Sequence, residues 1–564
     1  MKQGLLRSAL ALSLVAAFSN AHAACNDVVA KSKKETKAVT ACSDLRPANY
    51  WGGVVQESAL RAHLALLSSD LFEGRGTGQR GGDLTVQYLE SQSQVVGLKP
   101  ANGNSYRQLV KIAGVKSLPE QSSAQLIAGG KALDISFGKD WVWAPGDAVA
   151  EHKFDHDLVF VGYGITAPEE KWNDFKNVDV KNKIVIMMVN DPQPTAEEAN
   201  RFAGKALTYY GRWTYKFEEA KRQGAAGVLL IHTTPSASYG WSVVQNSWLN
   251  ERFQLDGAAP GTGLQGWMTE DTARQLFASA GQDLDKLRAA AEKKDFQAVA
   301  LSAKLVGETK AAIRRVEQFN VAGIVPGTDP KLKDEIVIYS AHWDHLGKQG
   351  TGADTIYNGA VDNGSGTAAL LAMAKEAVAH PAKRSQMFLW VAAEEQGLLG
   401  SALYGAQPLW PLNKTAANLN LDSLNFVGPT RDIGTQGSER TELGAIAAKV
   451  AKSMSMEIAK AEPDLAGGYF RSDHFNFAKN GVPAFSIEGG REFLKDQAAS
   501  TEKAKAYGAR YHQVTDEFDP SWDLSGMVQQ AQFTLNLGQA VANAAKMPAW
   551  KAGDAFGKAR ASAK

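Results

Sequence analysis

The sequence has almost no excess of either charge. Its 61 Lys and Arg residues face 60 Asp and Glu residues, which gives a formal net charge of +1 at pH 7. Proteins that bind nucleic acid or anionic membrane surfaces concentrate positive charge, so this balance argues against both kinds of partner. We therefore expect the function to depend on local sites, with no nucleic-acid partner.

Long apolar runs are also scarce. The apolar run at residues 9–18 has only ten residues, whereas a helix that spans a bilayer needs about 20. Basic residues precede the run (Lys2 and Arg7), and an A-x-A cleavage pattern ends at Ala23. This pattern predicts a secretory signal peptide over residues 1–23. We expect a periplasmic or secreted protein without a stable membrane anchor.

Cysteine is nearly absent. The two cysteines are Cys25 and Cys42, and in an oxidising compartment we expect a disulfide between them, which contributes ~3 kcal/mol in the chain-entropy model. Two free thiols are the alternative. Neither residue is expected to be catalytic or to bind metal, because no base or additional sulfur ligand accompanies it. Lipid attachment to Cys25 is disfavoured because His22 stands where a lipoprotein signal carries Leu.

Two motifs of other enzyme classes are missing or incomplete. The chain has no G-x-S-x-G sequence, which disfavours a serine hydrolase. Gly76, Gly78 and Gly81 formally match the G-x-G-x-x-G of dinucleotide-binding sites. Such a site needs a strand directly before the glycines, and residues 69–73 do not have a strand pattern. We interpret the match as accidental and expect no nucleotide cofactor.

The pattern of apolar residues divides the chain into parts. Over residues 116–305, short β-like runs alternate with turn residues, which indicates a separate strand-rich unit. From Asn320 onward strands alternate with helices, as is typical of an α/β domain with a mixed, largely parallel sheet between helices. We predict an N-terminal segment of that domain at 24–115, an insertion at 116–305, the remainder at 306–544, and a loosely ordered basic tail at 545–564.

Metal-capable side chains follow the predicted strands of the α/β part. His342 and Asp344 follow the strand at 335–340, Glu394 and Glu395 follow that at 386–392, and Asp422 follows that at 418–421. In open parallel sheets the binding crevice lies at these carboxyl ends. Taken singly, such residues have ordinary interpretations as loop histidines, solvated glutamates or helix caps. Together they favour a zinc site, with cobalt or manganese as competitors, because divalent metal neutralises buried carboxylates.

The order of these motifs resembles a known family. Along the chain stand His-x-Asp at His342, Asp-Asn-Gly-Ser-Gly at Asp362, Glu-Glu-x-Gly at Glu394, Arg-Ser-Asp-His at Arg471 and Tyr-His at Tyr511. The set is similar to the co-catalytic di-zinc aminopeptidases, a peptidase family that also contains glutamate carboxypeptidase and the transferrin receptor. The resemblance covers roughly residues 58–115 and 306–542 and implies the zinc exopeptidase fold. Residues 116–305 resemble the β-rich protease-associated domain inserted in many members.

The resemblance implies a set of metal ligands. It makes His342, Asp362, Glu395, Asp422 and His512 the ligands of two zinc ions. Asp362 would bridge the ions. His342 and Asp422 would complete one site, and Glu395 and His512 the other.

The resemblance also implies catalytic roles. Glu394 would be the general base that takes a proton from a water between the metals, and Asp344 would hold the imidazole of His342. Tyr511 would donate a hydrogen bond to the oxyanion. Arg471 matches an arginine near the substrate backbone in some members, although Phe470 stands where those members carry Gly. We expect His345 and His474 to be loop or outer residues rather than ligands.

The expected function is a metal-dependent exopeptidase acting on peptide substrates, most simply an aminopeptidase. A carboxypeptidase or another amide hydrolase of the same fold is the alternative. A non-catalytic binding relative is a third possibility, and it is disfavoured because all five ligand positions and Glu394 carry the expected residue types.

Overall fold

A computed structural model of the chain describes residues 53–237, 239–257 and 261–562. They belong to one compact unit, Trp51–Lys564. The predicted signal peptide and the predicted Cys25–Cys42 disulfide lie outside the described residues. Within the described part, none of the helices combines the length and the apolar character needed to cross a bilayer.

Helices and strands are numbered in chain order. The helices are α1 Glu57–Leu67, α2 Arg80–Val96, α3 Trp213–Arg222, α4 Thr234–Ala237, α5 Trp241–Leu249, α6 Glu270–Ser279, α7 Leu284–Ala291, α8 Gly366–Ala379, α9 Leu399–Ala406, α10 Leu443–Ser453, α11 His474–Lys479, α12 Gln497–Ala506, α13 Ser525–Asn543 and α14 Gly557–Ser562. The strands are β1 Lys99–Pro100, β2 Arg107–Ser117, β3 Gln125–Ala128, β4 Lys131–Ala132, β5 Trp141–Ala144, β6 Glu151–Phe160, β7 Thr166–Ala167, β8 Trp172–Asn173, β9 Ile184–Met188, β10 Gly227–His232, β11 Arg252–Leu255, β12 Leu264–Thr269, β13 Val299–Val325, β14 Ile336–His342, β15 Gly347–Lys348, β16 Ile356–Tyr357, β17 Ser385–Val391, β18 Thr415–Leu421, β19 Asp432–Gly434, β20 Glu457–Ile458 and β21 Ala484–Gly489.

A mixed sheet forms the centre of the α/β part. Strands β17, β14, β18 and β21 are adjacent in that order and run parallel. Strands β13 and β2 extend the sheet beyond β17 in antiparallel orientation. Every residue of β14, β17 and β18 is buried, as expected for parallel strands covered on both faces. Helices α8 and α13 pack on β14, and α11 packs on β18 and β21. The predicted α/β class with a largely parallel sheet between helices is confirmed.

One long strand belongs to two sheets. β13 has 27 residues. Its first part pairs with β3 and β6, its middle with β2, and its end with β17. The predicted domain boundary at 305/306 therefore falls inside a continuous strand. The domain boundaries themselves stay a prediction.

The second sheet occupies the predicted insertion. Strands β6, β9, β10 and β12 run parallel in that order, and β5 closes the edge beside β12 in antiparallel orientation. Buried apolar side chains form two separate clusters here. Successive residues of a strand point to opposite faces of the sheet, so alternate residues belong to different clusters. For example, Leu158 belongs to one cluster and Val159 to the other.

The C-terminal segment was predicted to be a loosely ordered tail, but Trp550 and Asp554 contact the α/β part. Asp554 Oδ2 lies 2.8 Å from Arg440 Nε. The indole Nε1 of Trp550 donates to the carbonyl of Gly481 at 2.8 Å. Basic residues indicated a solvated tail, but an aromatic side chain and an ion pair attach this segment to the α/β part.

Candidate metal centre

The predicted site residues come from the carboxyl ends of neighbouring parallel strands. β14 ends at His342, Glu394 and Glu395 follow β17, and Asp422 follows β18. Because these strands are parallel and adjacent, their carboxyl ends meet at one edge of the sheet. Two further residues reach the same edge from other elements. Asp362 lies in the helical turn before α8, and His512 lies in the loop between α12 and α13.

Asp362 lies at the centre of the cluster. Its Oδ1 is 3.4 Å from His342 Nε2, and its Oδ2 is 3.2 Å from His512 Nε2. Only 5% of its side chain is exposed. One carboxylate thus faces two histidines through its two oxygens, an arrangement that could bridge two cations.

Other carboxylates surround each histidine. His342 Nε2 lies 3.3 Å from Asp422 Oδ1 and 3.9 Å from Glu394 Oε2. His512 Nε2 lies 3.1 Å from Glu395 Oε2. The structure therefore brings together the five residues predicted as ligands, and it places Glu394 beside them.

His345 also lies in this cluster, although the sequence predicts only a loop or outer position for it. Its Nδ1 is 2.6 Å from Glu395 Oε1 and 4.0 Å from Asp362 Oδ2, and its side chain is fully buried. The spacing in His342-Trp-Asp-His345 was the available signal, since a histidine three residues after the end of a strand can return to the same edge. His474 is buried too, but its ring packs on Tyr469, and the residue is not among the clustered potential metal ligands.

Asp344 has a different contact from the expected one. Its carboxylate Oδ1 is 3.9 Å from His342 Nδ1, while its backbone carbonyl oxygen is closer, at 3.1 Å. The carboxylate instead accepts hydrogen bonds from the backbone N–H groups of Glu394 at 3.0 Å and Glu395 at 3.4 Å. The main chain of residue 344 thus orients the imidazole, and its side chain orients the glutamate pair.

The two adjacent glutamates differ electrostatically. Burial raises the pKa of Glu394 well above its usual value, against the attraction of His342. Burial also acts to raise the pKa of Glu395, but His345 and His512 hold it at about 2. Neighbouring carboxylates held in different environments can take different roles, one on a cation and one in proton transfer.

The donor atoms fit zinc. The potential ligand atoms form two groups, and within each group the atoms lie within 4.8 Å of one another. His342, Glu394 and Asp422 form one group, and His345, Asp362 and Glu395 form the other. Imidazole nitrogens and carboxylate oxygens are ligands that Zn²⁺ accepts. His512 Nε2 is buried without a hydrogen bond, yet two carboxylate oxygens lie near it. A cation between these atoms would satisfy all three.

A cavity of about 340 Å³ opens onto the cluster. Asp362, Glu394, Asp422, Tyr511 and Arg471 all contribute to its lining. The ring of Tyr511 stacks on His512 with centroids 3.9 Å apart. Partial burial and the charge of Asp362 raise the pKa of the Tyr511 phenol, so the group remains a hydrogen-bond donor at neutral pH. Arg471 donates through Nε to the carbonyl of Ala466 at 3.1 Å.

Part of the chain is similar to known proteins. Residues 320–535 match the model of peptidase family M28. This region is similar to the peptidases of family M28. The chain is 29% identical over 212 residues to aminopeptidase Y of Saccharomyces cerevisiae, a stretch that covers 37% of each chain. It is 29% identical over 262 residues to leucine aminopeptidase 1 of Ajellomyces capsulatus, which covers 42% of this chain and 60% of the relative.

A third curated relative matches to a similar extent. An aminopeptidase of Pseudomonas aeruginosa is 31% identical over 215 residues, which is 36% of each chain. The matched stretches thus span between about a third and 60% of the length of these curated relatives. Among solved structures, an aminopeptidase from Aneurinibacillus sp. strain AM-1 aligns with a TM-score of 0.46 and 17% identity, over 87% of this chain and 95% of that one. A peptidase M28 precursor from Shewanella amazonensis SB2B aligns with a TM-score of 0.36 and 17% identity, over 87% of this chain and 98% of that one.

Zinc should stabilise the folded protein. Without a cation the buried carboxylates repel one another, so chelator treatment should lower the melting temperature and added zinc should restore it. At a zinc concentration 100-fold above Kd, the gain is about 2.7 kcal/mol. Differential scanning calorimetry with magnesium as the control ion measures the effect. A melting temperature that is unchanged by chelator and by zinc would contradict the site.

Proposed function

We propose that this protein is a periplasmic or secreted aminopeptidase that uses two zinc ions. The observation that supports it most is the position of Asp362, whose two carboxylate oxygens face His342 and His512, with Glu394 beside them in the wall of the cavity. A carboxylate that faces two histidines could be a ligand of two ions at once, and a pair of ions can clamp the attacking and leaving oxygens of a hydrolysis.

Each ligand has a place in this proposal. His342 and Asp422 would hold one ion, Glu395 and His512 would hold the other, and Asp362 would be a ligand of both. When bound, the zinc pair polarises the substrate carbonyl and lowers the pKa of water toward about 7.

Residues of the chain itself carry the proton and position the substrate. Glu394 takes a proton from the attacking water and passes it to the leaving amine, a contribution of typically 10²–10⁴-fold. The Tyr511 hydroxyl donates a hydrogen bond to the oxyanion that develops on the substrate. Arg471, which lines the same cavity, contacts the substrate backbone.

Action at the amino end of peptides is favoured over action at the carboxyl end. The matched curated relatives named above are aminopeptidases by name. A carboxypeptidase or another amide hydrolase remains the second candidate because the same ligand set can serve amide hydrolysis at either end.

The other parts of the chain have proposed roles as well. Residues 116–305 form an inserted protease-associated domain, and residues 1–23 direct export. After export to the oxidising periplasm or medium, Cys25 and Cys42 form a disulfide.

Glu394→Gln should separate metal binding from turnover. The amide keeps the size of the side chain but cannot accept the proton, so kcat should fall by about 10²–10⁴-fold while zinc content stays unchanged. Zinc analysis and aminoacyl-nitroanilide hydrolysis measure the two quantities. Glu492→Gln is the matched control, since that side chain is 68% exposed. Turnover retained in Glu394→Gln would remove the residue from its assigned role.

Blocked peptides should distinguish the two ends of the substrate. We expect hydrolysis of peptides with a free amino group, no hydrolysis of their N-acetylated forms, and unimpaired hydrolysis of their C-terminal amides. Chelator should abolish all activity. Cleavage that survives acetylation but is lost on amidation would identify a carboxypeptidase, and no cleavage of any peptide would point to a non-catalytic relative.

Export has a direct chemical test. Protein recovered from the periplasm or medium should have a mass that corresponds to loss of residues 1–23. Its two cysteines should react with a thiol reagent only after reduction. An intact N-terminus would argue against the signal peptide, and labelling without reductant would argue against the disulfide.

A further inference from the structure

The glycine-rich segment at residues 74–82 has no role in the proposed mechanism. As expected, no strand precedes its G-x-G-x-x-G glycines, since Asp70–Arg75 is a short helical turn. The segment packs tightly against two loops near the metal centre. A Cβ on Gly74, whose φ is +67°, would lie 2.4 Å from the carbonyl oxygen of Tyr357. A Cβ on Gly76 would lie 2.7 Å from the Cα of Gly347. Glycine is needed here for close backbone approach.

This close approach buries Arg75. The residue has 0% exposure. Its guanidinium donates four hydrogen bonds to backbone carbonyl oxygens: Nε to Trp343 at 2.8 Å, Nη1 to Leu67 at 2.8 Å and to Asn358 at 2.7 Å, and Nη2 to Gly359 at 2.7 Å. Among the described residues, no carboxylate lies within ion-pair distance of Arg75, so its charged N–H groups are used to hold the main chain.

The bonded carbonyls belong to the loops that carry the candidate ligands. Trp343 directly follows His342, and Gly359 precedes Asp362 by three residues. His342 and Asp362 are 3.4 Å apart through Nε2 and Oδ1. A single planar guanidinium therefore connects the main chain beside both residues, and its position constrains the distance between them.

The charge of Arg75 also suits this place. Burial lowers its pKa to about 10, while the carboxylates of Asp516 and Asp362 act in the opposite direction. The guanidinium thus stays charged at neutral pH and places a fixed positive charge behind a cluster of carboxylates. Hydrogen bonds from a charged donor are stronger than neutral ones.

We propose that Arg75 is a positioning residue for the metal centre: through the carbonyls of Trp343 and Gly359 it sets the separation of His342 and Asp362, and so raises the affinity for zinc. This role depends on the proposed zinc site but not on peptidase activity. The glycine-rich segment is then the support that delivers Arg75 to the back of the site.

Arg384 provides a matched control. It has 1% exposure, donates to the carbonyls of Val541 and Ala544, and pairs with Glu335. It directly precedes β17 and thus lies at the amino end of the sheet, opposite the metal centre. Substitution of either arginine removes a buried guanidinium, but only Arg75 contacts the ligand loops.

The test compares Arg75→Lys and Arg75→Gln with Arg384→Lys. Zinc Kd is measured by competition with a chromogenic chelator, well below the melting temperature of each metal-free protein. Removing an outer partner of metal ligands typically weakens binding about 10–100-fold, and we expect that loss in both Arg75 variants. Arg384→Lys should bind zinc within about twofold of the unsubstituted protein because distant sites act independently. The melting temperature of the metal-free protein should fall for both arginines.

Each other outcome has a defined meaning. If the unsubstituted protein binds no zinc, the proposed function fails rather than the role of Arg75 alone. Folded Arg75 variants with unchanged zinc Kd would overturn the positioning role. The same is true if Arg384→Lys loses as much affinity as Arg75→Lys. Failure of both Arg75 variants to fold would assign Arg75 to folding and would also overturn the proposal.

Discussion

Mutual repulsion among buried carboxylates is the constraint on which the rest of this structure depends. Asp362, Glu394 and Glu395 lie close together with 5%, 13% and 4% of their side chains exposed. Burying ionised carboxylates costs free energy unless nearby positive charges pair with them. The buried guanidinium of Arg75 supplies part of the opposing charge within the chain. The proposed zinc ions supply the remainder, and this is why the site has the form of a metal centre.

The fold meets this constraint by bringing charged groups together from several elements. Parallel strands carry His342 and the glutamate pair to one edge of the sheet, while a helical turn and a distant loop add Asp362 and His512. No element contains the whole site. The backbone must therefore be held from outside, by the Asp344 carboxylate beneath the glutamates and by Arg75 behind the histidine and aspartate loops.

Much of this arrangement could be predicted from the chain itself. Apolar strands followed by charged residues predict both the α/β class and the edge at which the site forms, because strand periodicity and the direction of parallel strands are local properties. The resemblance to a known family, which rests on the order of the motifs, implied which side chains would meet. Other features could not be predicted in this way. The position of His345 within the cluster, the use of the Asp344 main chain and the packing of Trp550 and Asp554 depend on contacts between segments far apart in sequence.

The sequence by itself determined the residue types at the site, the α/β class and the order in which the ligands follow the strands. The tertiary structure decided which oxygen of Asp362 faces which histidine, and it placed the glycine-rich segment behind the site. The reason is physical: hydropathy and residue type act over a few neighbouring positions. Distances such as those from Arg75 to the carbonyls of Trp343 and Gly359 join residues more than 260 positions apart and exist only once the chain has folded.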